Sequence, residues 1–479
     1  MPSNYKEKHT GQVFTPDYIV CEMLNYANYT LCSDILNKHI IENSCGDGAF
    51  LIQIVKRYIQ SALQNNLTKK EIVGGLEKYI HGIDNDKIAI ENCINNLNEI
   101  VAEYELTEIK WDIHHNDTLK TKDYDGKMDF VVGNPPYVRV HNLESTYNDV
   151  KRFKFAEGGM TDLYLVFFEI GFNMLNKDGI MCYITPSSWL SSVAAKNLRS
   201  YISEHKNLVS IVDLGHFQPF NGITTYTMIS TFSKSRKCDE FDYYSFNGNT
   251  QQREFVDKLS YENISIDSYF YIANRQNLQV LKKIKCGKHK TRVRVKNGFA
   301  TLADKSFIGD NIPNTSITIP IIKASTGRWT KCLFPYDKNG KALPEEIIFS
   351  DKMLKEHFEE EKKNLLKGKP EYDGWYLYGR TQALSDVWKD KISINTLLRT
   401  KADLKVEEAK AGKGIYSGLY IIGDIDIKTA KEILISDEFV EYIKCIKKYK
   451  SGGYYTYNTK DVEQFINYKL NLLNNDEQS

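Results

Sequence analysis

No run of the 479 residues is long and apolar enough to span a bilayer, and Met1 to Lys8 is polar and charged with no signal-peptide core behind it. The sequence therefore reads as cytoplasmic, with no membrane partner. Nine cysteines are scattered without a CxxC pair or a Cys/His cluster, so neither a disulfide framework nor a zinc site is indicated. They are expected as buried free thiols, and no metal is expected. Internal repeats and low-complexity tracts are absent too. Nor is there an overall excess of one charge: 63 Lys and Arg stand against 62 Asp and Glu, a formal net charge of +1. That balance argues against a protein coated in nucleic acid.

What is present is enough chain for two domains, with the composition of a globular protein, 42% hydrophobic and 26% charged. From about residue 35 to 232, short apolar strands alternate with helical patterns. Strands are expected at Ile40-Ile41, Tyr79 to Ile83, Ile109 to His114, Met128 to Val132, Gly179 to Ile184, Leu208 to Leu214 and Tyr226 to Phe232. Helical periodicity runs over Phe50 to Ala62, Lys87 to Glu103 and, as an amphipathic helix, Leu163 to Leu175. This rhythm predicts an α/β fold, a doubly wound, mostly parallel sheet with helices on both faces. Residues 234 to 274 are polar and aromatic-rich with weak periodicity and read as a connection. Beyond them lie short strands, turn clusters such as Lys338-Asn339-Gly340 and Ser451-Gly452-Gly453, and a charged, solvent-facing helix over Lys355 to Lys367, which suggest a second, α+β domain. Charge is uneven: Arg275 to Lys331 holds 13 Lys and Arg against two acids, Asp304 and Asp310, a stretch able to follow a phosphate backbone.

The most informative stretch is Val131-Val132-Gly133-Asn134-Pro135-Pro136-Tyr137. It begins as a buried strand and ends at two prolines, which forbid both a continued strand and an immediate helix. The chain must leave the sheet in a stiff, extended turn, at the strand end where open α/β sheets bind ligands. Other strand ends are marked as well. The first runs into Glu42-Asn43-Ser44-Cys45-Gly46-Asp47-Gly48, whose glycines let the backbone pass close to a ligand; Leu51 stands at the third glycine of the dinucleotide fingerprint, which disfavours NAD. Asp84 closes the second strand, where a carboxylate commonly accepts ribose hydroxyls. Asp117 closes the third and is able to accept from an adenine amino group. Each acid alone is explained by a turn or a helix cap; their order along successive strand ends instead suggests one cleft for an adenosine-containing cofactor and a second planar ligand.

This combination resembles the S-adenosylmethionine-dependent, γ-type N6-adenine DNA methyltransferases with a TaqI-like specificity domain at the carboxyl end. The resemblance extends over nearly the whole chain. Thr10-Gly11-Gln12-Val13-Phe14-Thr15-Pro16 is similar to the family's amino-terminal cofactor segment, which implies that Phe14, Thr15 and Pro16 lie near the methionine part of S-adenosyl-L-methionine. Glu42, Cys45, Gly46 and Gly48 match the first loop, Asp84 the ribose ligand, Asp117 the adenine ligand, and Asn134, Pro135, Pro136 and Tyr137 the catalytic motif. Asp162-Leu163-Tyr164 and Ile184 to Leu190 match later segments. In the second half, Asn297-Gly298-Phe299-Ala300-Thr301 with Lys305 and Phe307, Phe334 to Asp337, and Tyr378 to Gln382 resemble parts of the target-recognition domain. The implied organisation is a catalytic domain over 1–240, a linker over 241–290 and a DNA-specificity domain over 291–479. Two departures stand out: Asn43 where proline is usual, and Thr118 where a ring often covers the cofactor adenine.

The resemblance gives the opening motif a chemical purpose. The N6 amino group of adenine is a poor nucleophile because its lone pair is delocalised into the ring. If the Asn134 side-chain oxygen and the Pro135 carbonyl accept its two hydrogens, the nitrogen moves toward tetrahedral geometry and its lone pair becomes available. The prolines fix these acceptors beforehand, which is preorganisation rather than acid–base chemistry. The base must leave the duplex at a cost of a few kcal/mol, and Tyr137 offers a stacking face, with Phe220 as a second wall. The implied partner is double-stranded DNA, with room for a separately encoded cognate restriction endonuclease; no amino-terminal nuclease is expected before residue 10, and the protein is expected to act as a monomer. The same motif serves enzymes that methylate protein glutamine or RNA, and it does not discriminate among these acceptors. A DNA-binding module without catalysis is the remaining reading, against which Asn134, Asp84 and Asp117 all speak.

Overall fold

The computed structural model describes residues 14–140, 147–157, 161–220 and 225–476. The chain divides between Gln279 and Val280 into two compact units. No helix among the described residues is long and apolar enough to cross a membrane.

The first unit is built on a nine-stranded sheet: β1 (Ile40–Glu42), β2 (Ile80–Asp84), β3 (Asp112–His115), β4 (Met128–Gly133), β5 (Leu175–Pro186), β6 (Leu208–Asp213), β7 (Thr227–Ser233), β8 (Glu240–Asn247) and β9 (Gln252–Ser260). Their spatial order is β3-β2-β1-β4-β5-β7-β6-β8-β9. β1 to β5 are joined by parallel pairings, and β7 lies antiparallel between β5 and β6. The expected doubly wound, mostly parallel α/β sheet is thus present. The feature that positions a site is the reversal of order between β1 and β4: the chain winds outward through β2 and β3 on one side and through β5 on the other. β1 leads outward to β2 and β4 outward to β5, in opposite directions, and this is the switch point at which open α/β sheets bind ligands.

Helices cover the sheet. In helix Ala49–Gln64 the buried side chains Phe50, Leu51, Ile54, Val55, Tyr58, Ile59 and Ala62 recur at helical spacing and form the apolar stripe that packs on the sheet. Helix Leu163–Met174 departs from the amphipathic expectation, since Tyr164 to Phe168, Ile170 to Phe172 and Met174 are all buried. It contacts β4 and β5, helix Lys196–His205 and the turn Lys154–Ala156, which leaves little of it to solvent. Gly171 permits this approach, because a Cβ there would sit 2.5 Å from Met181 Sδ and 2.8 Å from the Tyr183 hydroxyl.

The stretch expected as a connection after residue 234, and the start of the expected 241–290 linker, instead carry β8 and β9, which extend the main sheet. The reason is visible in the register. Phe241 and Tyr243 point into the core two residues apart, but the pairing register shifts between Tyr243 and Tyr244, opposite the unpaired Val256 of β9, and Phe246 is the next buried position of β8. A one-residue offset of this kind erases the period-2 signal without ending the strand.

The second unit is α+β. Four strands pair antiparallel in the order Val293–Asn297, Leu419–Gly423, Lys391–Ile394, Val406–Ala409, and a smaller sheet joins Arg328–Leu333, Thr318–Lys323 and Gly414–Tyr416. Helix Lys352–Leu366, expected to be solvent-facing, does bury Leu354 and Phe358 and exposes most of the rest. The three family-like segments converge in one aromatic cluster. Phe299 stacks on Phe334 with ring centres 5.7 Å apart, Tyr378 lies edge-on to Phe307 at 4.9 Å, and the Tyr378 hydroxyl donates to the Leu333 carbonyl at 2.6 Å. Those motifs are thereby accounted for in large part by packing.

Asp386 ties this unit together: its buried carboxylate pairs with Lys296 at 2.6 Å and Lys389 at 2.8 Å and accepts from the Tyr420 hydroxyl at 2.8 Å. Burial pushes its pKa up, but the two lysines and the tyrosine outweigh burial and hold it at about 2. A carboxylate depressed on folding adds stability above its unfolded value, near 3.9, and that contribution disappears as pH falls toward 2. We expect Asp386→Asn to lose on the order of 2 kcal/mol at neutral pH. Urea titrations at pH 7 and pH 3 check this, with the gap between variant and parent shrinking at the lower pH.

Candidate active site at the switch point of the sheet

β1 runs directly into the loop Asn43–Gly48. Gly46 (φ 51°) and Gly48 (φ 90°) occupy the left-handed region that side chains resist, and a Cβ on Gly48 would come within 2.7 Å of Cys93 Sγ. The loop is fastened to the neighbouring strand end: Cys45 N donates to the Ile83 carbonyl at 3.0 Å and Gly46 N to Asp84 Oδ2 at 2.8 Å. Asp84 Oδ1 accepts from Asp86 N at 2.9 Å. Burial raises the Asp84 pKa, partly opposed by these backbone donors. Each carboxylate oxygen has a second lone-pair direction after accepting one N–H, so Asp84 retains acceptor capacity for a ribose hydroxyl.

Glu42 is turned inward. It is 3% exposed, its Oε2 accepts from Leu51 N at 3.2 Å in the first turn of helix Ala49–Gln64, and burial holds its pKa well above the usual carboxylate range. Cys45 is buried beside Cys93, a contact that together with burial raises its thiol pKa. Asp117 lies at the end of β3, with Oδ1 accepting from Leu119 N at 3.0 Å and Oδ2 paired with Lys120 at 3.2 Å; Lys120 also meets Asp149 at 3.0 Å. The Asp117 carboxylate is thus engaged in a local turn and a surface ion pair.

The two departures from the family pattern have structural reasons. Asn43 is fully buried and its Oδ1 accepts from the Tyr183 hydroxyl at 3.0 Å, a bond proline is unable to supply. Thr118 Oγ1 donates to the Asn43 carbonyl at 2.7 Å, so it clamps the β3 end to the β1 loop. We expect Asn43→Ala to destabilise the protein by about 1–3 kcal/mol, because it strands a buried hydroxyl. Adding Tyr183→Phe should recover part of the loss, a comparison denaturant titrations make directly.

Asn134 to Tyr137 leave β4 as irregular backbone, with Pro135 buried and Pro136 and Tyr137 half-buried. The Asn134 amide nitrogen donates to Thr15 Oγ1 at 3.1 Å, and Ser44 Oγ donates to the Asn134 carbonyl at 3.4 Å. The following residues are pinned to the segment before helix Leu163–Met174: Leu163 N donates to the Val138 carbonyl at 2.8 Å and Val140 N to that of Thr161 at 2.9 Å. Tyr137 donates its hydroxyl to the Ile184 carbonyl at 3.2 Å, and burial pushes its pKa well up, which keeps that proton in place. Its ring meets Tyr164 at 6.4 Å and Phe220 at 6.4 Å, with an interplanar angle of 68° to the latter. Phe220 is 5% exposed, and its contact with Tyr137 is edge-to-face, so the two rings do not stand as parallel walls in this structure.

Of the amino-terminal segment, Phe14 is 62% exposed, Thr15 is buried and Pro16 leads helix Asp17–Tyr26; Thr10 to Val13 lie outside the described residues, as do Asn221 and Gly222. The structure therefore brings Thr15, the β1 loop and Asn134 together, with Asp84 tied to that loop. Sequence reading missed the contacts of Thr15 and Ser44 with Asn134, which join residues 119 and 90 positions apart and leave no local pattern.

Comparison with known proteins finds a likeness over part of the chain. Residues 49–220 match the model described as "Eco57I restriction-modification methylase". Over those residues the chain is similar to that family. Relatives include the type II restriction enzyme and methyltransferase RM.Eco57I of Escherichia coli, 25% identical, aligned over 80% of this chain and 48% of that protein. The type II methyltransferase M.BstVI of Geobacillus stearothermophilus is 26% identical over 65% of this chain and 62% of its own length. The chain thus spans roughly half to three-fifths of these relatives. Among solved structures, the type IIL restriction-modification enzyme MmeI in complex with DNA superimposes with a TM-score of 0.59 at 12% identity, covering 93% of this chain and 63% of that one. A nuclease-deletion form of the type ISP enzyme LlaGI, in complex with a DNA substrate mimic, gives 0.52 at 13% identity, covering 96% and 55%. At such identities the likeness is one of fold. The methylase match runs from the helix after the β1 loop to Phe220 and includes Asn134 to Tyr137.

Proposed function

We propose that this protein is a site-specific DNA methyltransferase that transfers a methyl group from S-adenosyl-L-methionine to the N6 amino group of an adenine rotated out of duplex DNA, as the modification component of a restriction-modification system. The observation that carries the reading is the position of Asn134 to Tyr137: they leave β4 at the switch point, beside the glycine loop that leaves β1. The residues present fit an adenosine-bearing cofactor. Positive φ at Gly46 and Gly48 keeps side chains out of the loop, and the half-buried Asp84 carboxylate beside it offers a hydroxyl acceptor.

In this reading the bound cofactor supplies an electrophilic methyl group on a sulfonium centre. The protein's own work is polar positioning. Asp84 and the loop Asn43–Gly48 hold the adenosine part, with Asp117 as acceptor for its amino group once Lys120 yields, and Phe14, Thr15 and Pro16 border the methionine part. Asn134 Oδ1 and the Pro135 carbonyl would take the two hydrogen bonds of the target amine, which concentrates its lone pair toward the methyl group; the N–CH3 bond would form as the S–CH3 bond breaks, with S-adenosylhomocysteine leaving and the extra proton on nitrogen passing to solvent. Pro135 and Pro136 limit backbone motion, so these acceptors need no reorganisation. Tyr137 stacks the extruded base, with its hydroxyl anchored on Ile184 and with Phe220 beside it. The second unit, with strand Val293–Asn297 near its start and most of the basic stretch, is the target-recognition domain of this proposal, and its size favours duplex DNA, since a small protein-modifying enzyme would not need it. A separately encoded endonuclease and a monomeric state complete it.

An acceptor panel tests this. Protein incubated with methyl-labelled S-adenosylmethionine should label unmethylated duplex DNA far above total RNA or a protein extract. Label confined to RNA or protein contradicts the DNA assignment.

A further inference from the structure

An asparagine side chain has two ends of nearly equal shape and opposite polarity. If Asn134 acts as proposed above, on which this inference rests, its oxygen must face the target amine; turned by half a revolution it would oppose N–H to N–H. Packing alone does not choose between the two, because the amide fills the same volume either way. Only a polar neighbour chooses, and the structure supplies one at the other end of the amide: Asn134 Nδ2 donates to Thr15 Oγ1 at 3.1 Å.

Thr15 is itself well held. It is 6% exposed, and the next residue, Pro16, has φ −61° and starts helix Asp17–Tyr26 by accepting from Ile19 N at 2.9 Å and Val20 N at 3.1 Å. That helix buries Ile19, Val20, Met23 and Leu24. It is also cross-tied by Arg57 of helix Ala49–Gln64, whose guanidinium donates to the Cys21 carbonyl at 2.9 Å, to Asn25 Oδ1 at 3.0 Å and to the Tyr29 carbonyl at 2.7 Å. Ser44 Oγ holds the Asn134 main-chain carbonyl at 3.4 Å. Main chain and side chain of Asn134 are thus gripped by two separate parts of the protein.

We propose that Thr15 is a positioning residue that selects the rotamer of Asn134 in which the amide oxygen faces the methyl-accepting amine. The amino-terminal segment then has two tasks: bordering the cofactor and setting the polarity of the catalytic amide. The hydroxyl matters rather than the shape, because Thr15 Oγ1 accepts from the amide nitrogen and so distinguishes the two ends of the amide.

Thr15→Val keeps shape and removes the acceptor; Thr15→Ser keeps the acceptor. With the full chain, three quantities separate the roles: the single-turnover rate of methyl transfer to duplex DNA at saturating cofactor, the cofactor dissociation constant, and the fluorescence of 2-aminopurine placed at the mapped target adenine, which reports base extrusion. We expect Thr15→Val to slow transfer by about ten- to a hundredfold, the range for a buried polar group left without its partner. Cofactor affinity and 2-aminopurine fluorescence should stay within about twofold of the parent, and Thr15→Ser should recover most of the rate. A Thr15→Val protein as fast as the parent, one whose loss lies in cofactor affinity, or a Thr15→Ser protein as slow as Thr15→Val overturns the positioning role. Absence of methyl transfer to DNA by the unaltered protein overturns the functional reading, and this inference with it.

Discussion

Replacing Asn134 by alanine should slow methyl transfer by on the order of a thousandfold while leaving cofactor affinity within a few fold. The size follows from what is removed. The proposed reaction uses no proton transfer to a side chain and no covalent intermediate, so stabilisation rests on two preorganised acceptors, and deleting one such group in a water-poor site costs about 10²–10³ in rate. Cofactor affinity should survive because the loop that holds the adenosine part is secured independently, by Cys45 N on Ile83 and Gly46 N on Asp84. A single-turnover assay with both proteins, alongside a cofactor titration, separates the two effects. Equal loss of rate and affinity would mean that Asn134 holds the cofactor rather than the acceptor.

Asp84→Ala should act on the opposite quantity. Its carboxylate accepts from Gly46 N and Asp86 N, so truncation releases the loop and removes the proposed ribose acceptor together. Hydrogen bonds to a charged acceptor contribute about 1.5–3 kcal/mol each, and the loss should weaken cofactor binding roughly a hundredfold. The same carboxylate sets a pH dependence. Burial raises its pKa, so the ionised, accepting form is lost at a higher pH than for an ordinary aspartate. As pH falls through mildly acidic values, affinity should fall first through Asp84, and the Asp84→Ala protein should lack that limb. Isothermal titration calorimetry across the pH range reads both effects, and a parent curve that matches the variant's shape would remove Asp84 from the site.

How much of this was legible in the sequence depends on the range of the interaction. Asn134-Pro135-Pro136-Tyr137 and the glycine loop are local: two prolines end a strand, and glycines permit positive φ, wherever they occur. Strand–helix alternation then implies the sheet, and the sheet order puts both segments at the switch point. Asp84 at a strand end was likewise readable, and it does fasten the loop. Asp117 is legible as a strand-end acid, whereas its ion pair with Lys120 is a feature of the folded turn. What stayed hidden is long-range. Nothing near Asn43 indicates that it serves Tyr183, 140 residues away, and nothing near Thr15 indicates that it meets Asn134. β8 and β9 were obscured by the register shift between Tyr243 and Tyr244, opposite the unpaired Val256. The sequence of helix Leu163–Met174 suggests an amphipathic helix, and its burial on nearly all sides depends on neighbours that only the fold brings together. In the second unit, Phe299, Phe334 and Tyr378 could be noticed as motif residues, but their joint role in one aromatic core required coordinates.

The central claim is that Asn134 holds the N6 amino group of an adenine in duplex DNA for methyl transfer from S-adenosylmethionine. Its most direct test is mass spectrometry of nucleosides from unmethylated DNA treated with the protein and S-adenosylmethionine, paired with sequencing that maps the modified base. The account predicts N6-methyladenine at one short sequence, absent when Asn134→Ala protein is used. Methylcytosine in its place, or N6-methyladenine that persists with Asn134→Ala, would contradict it.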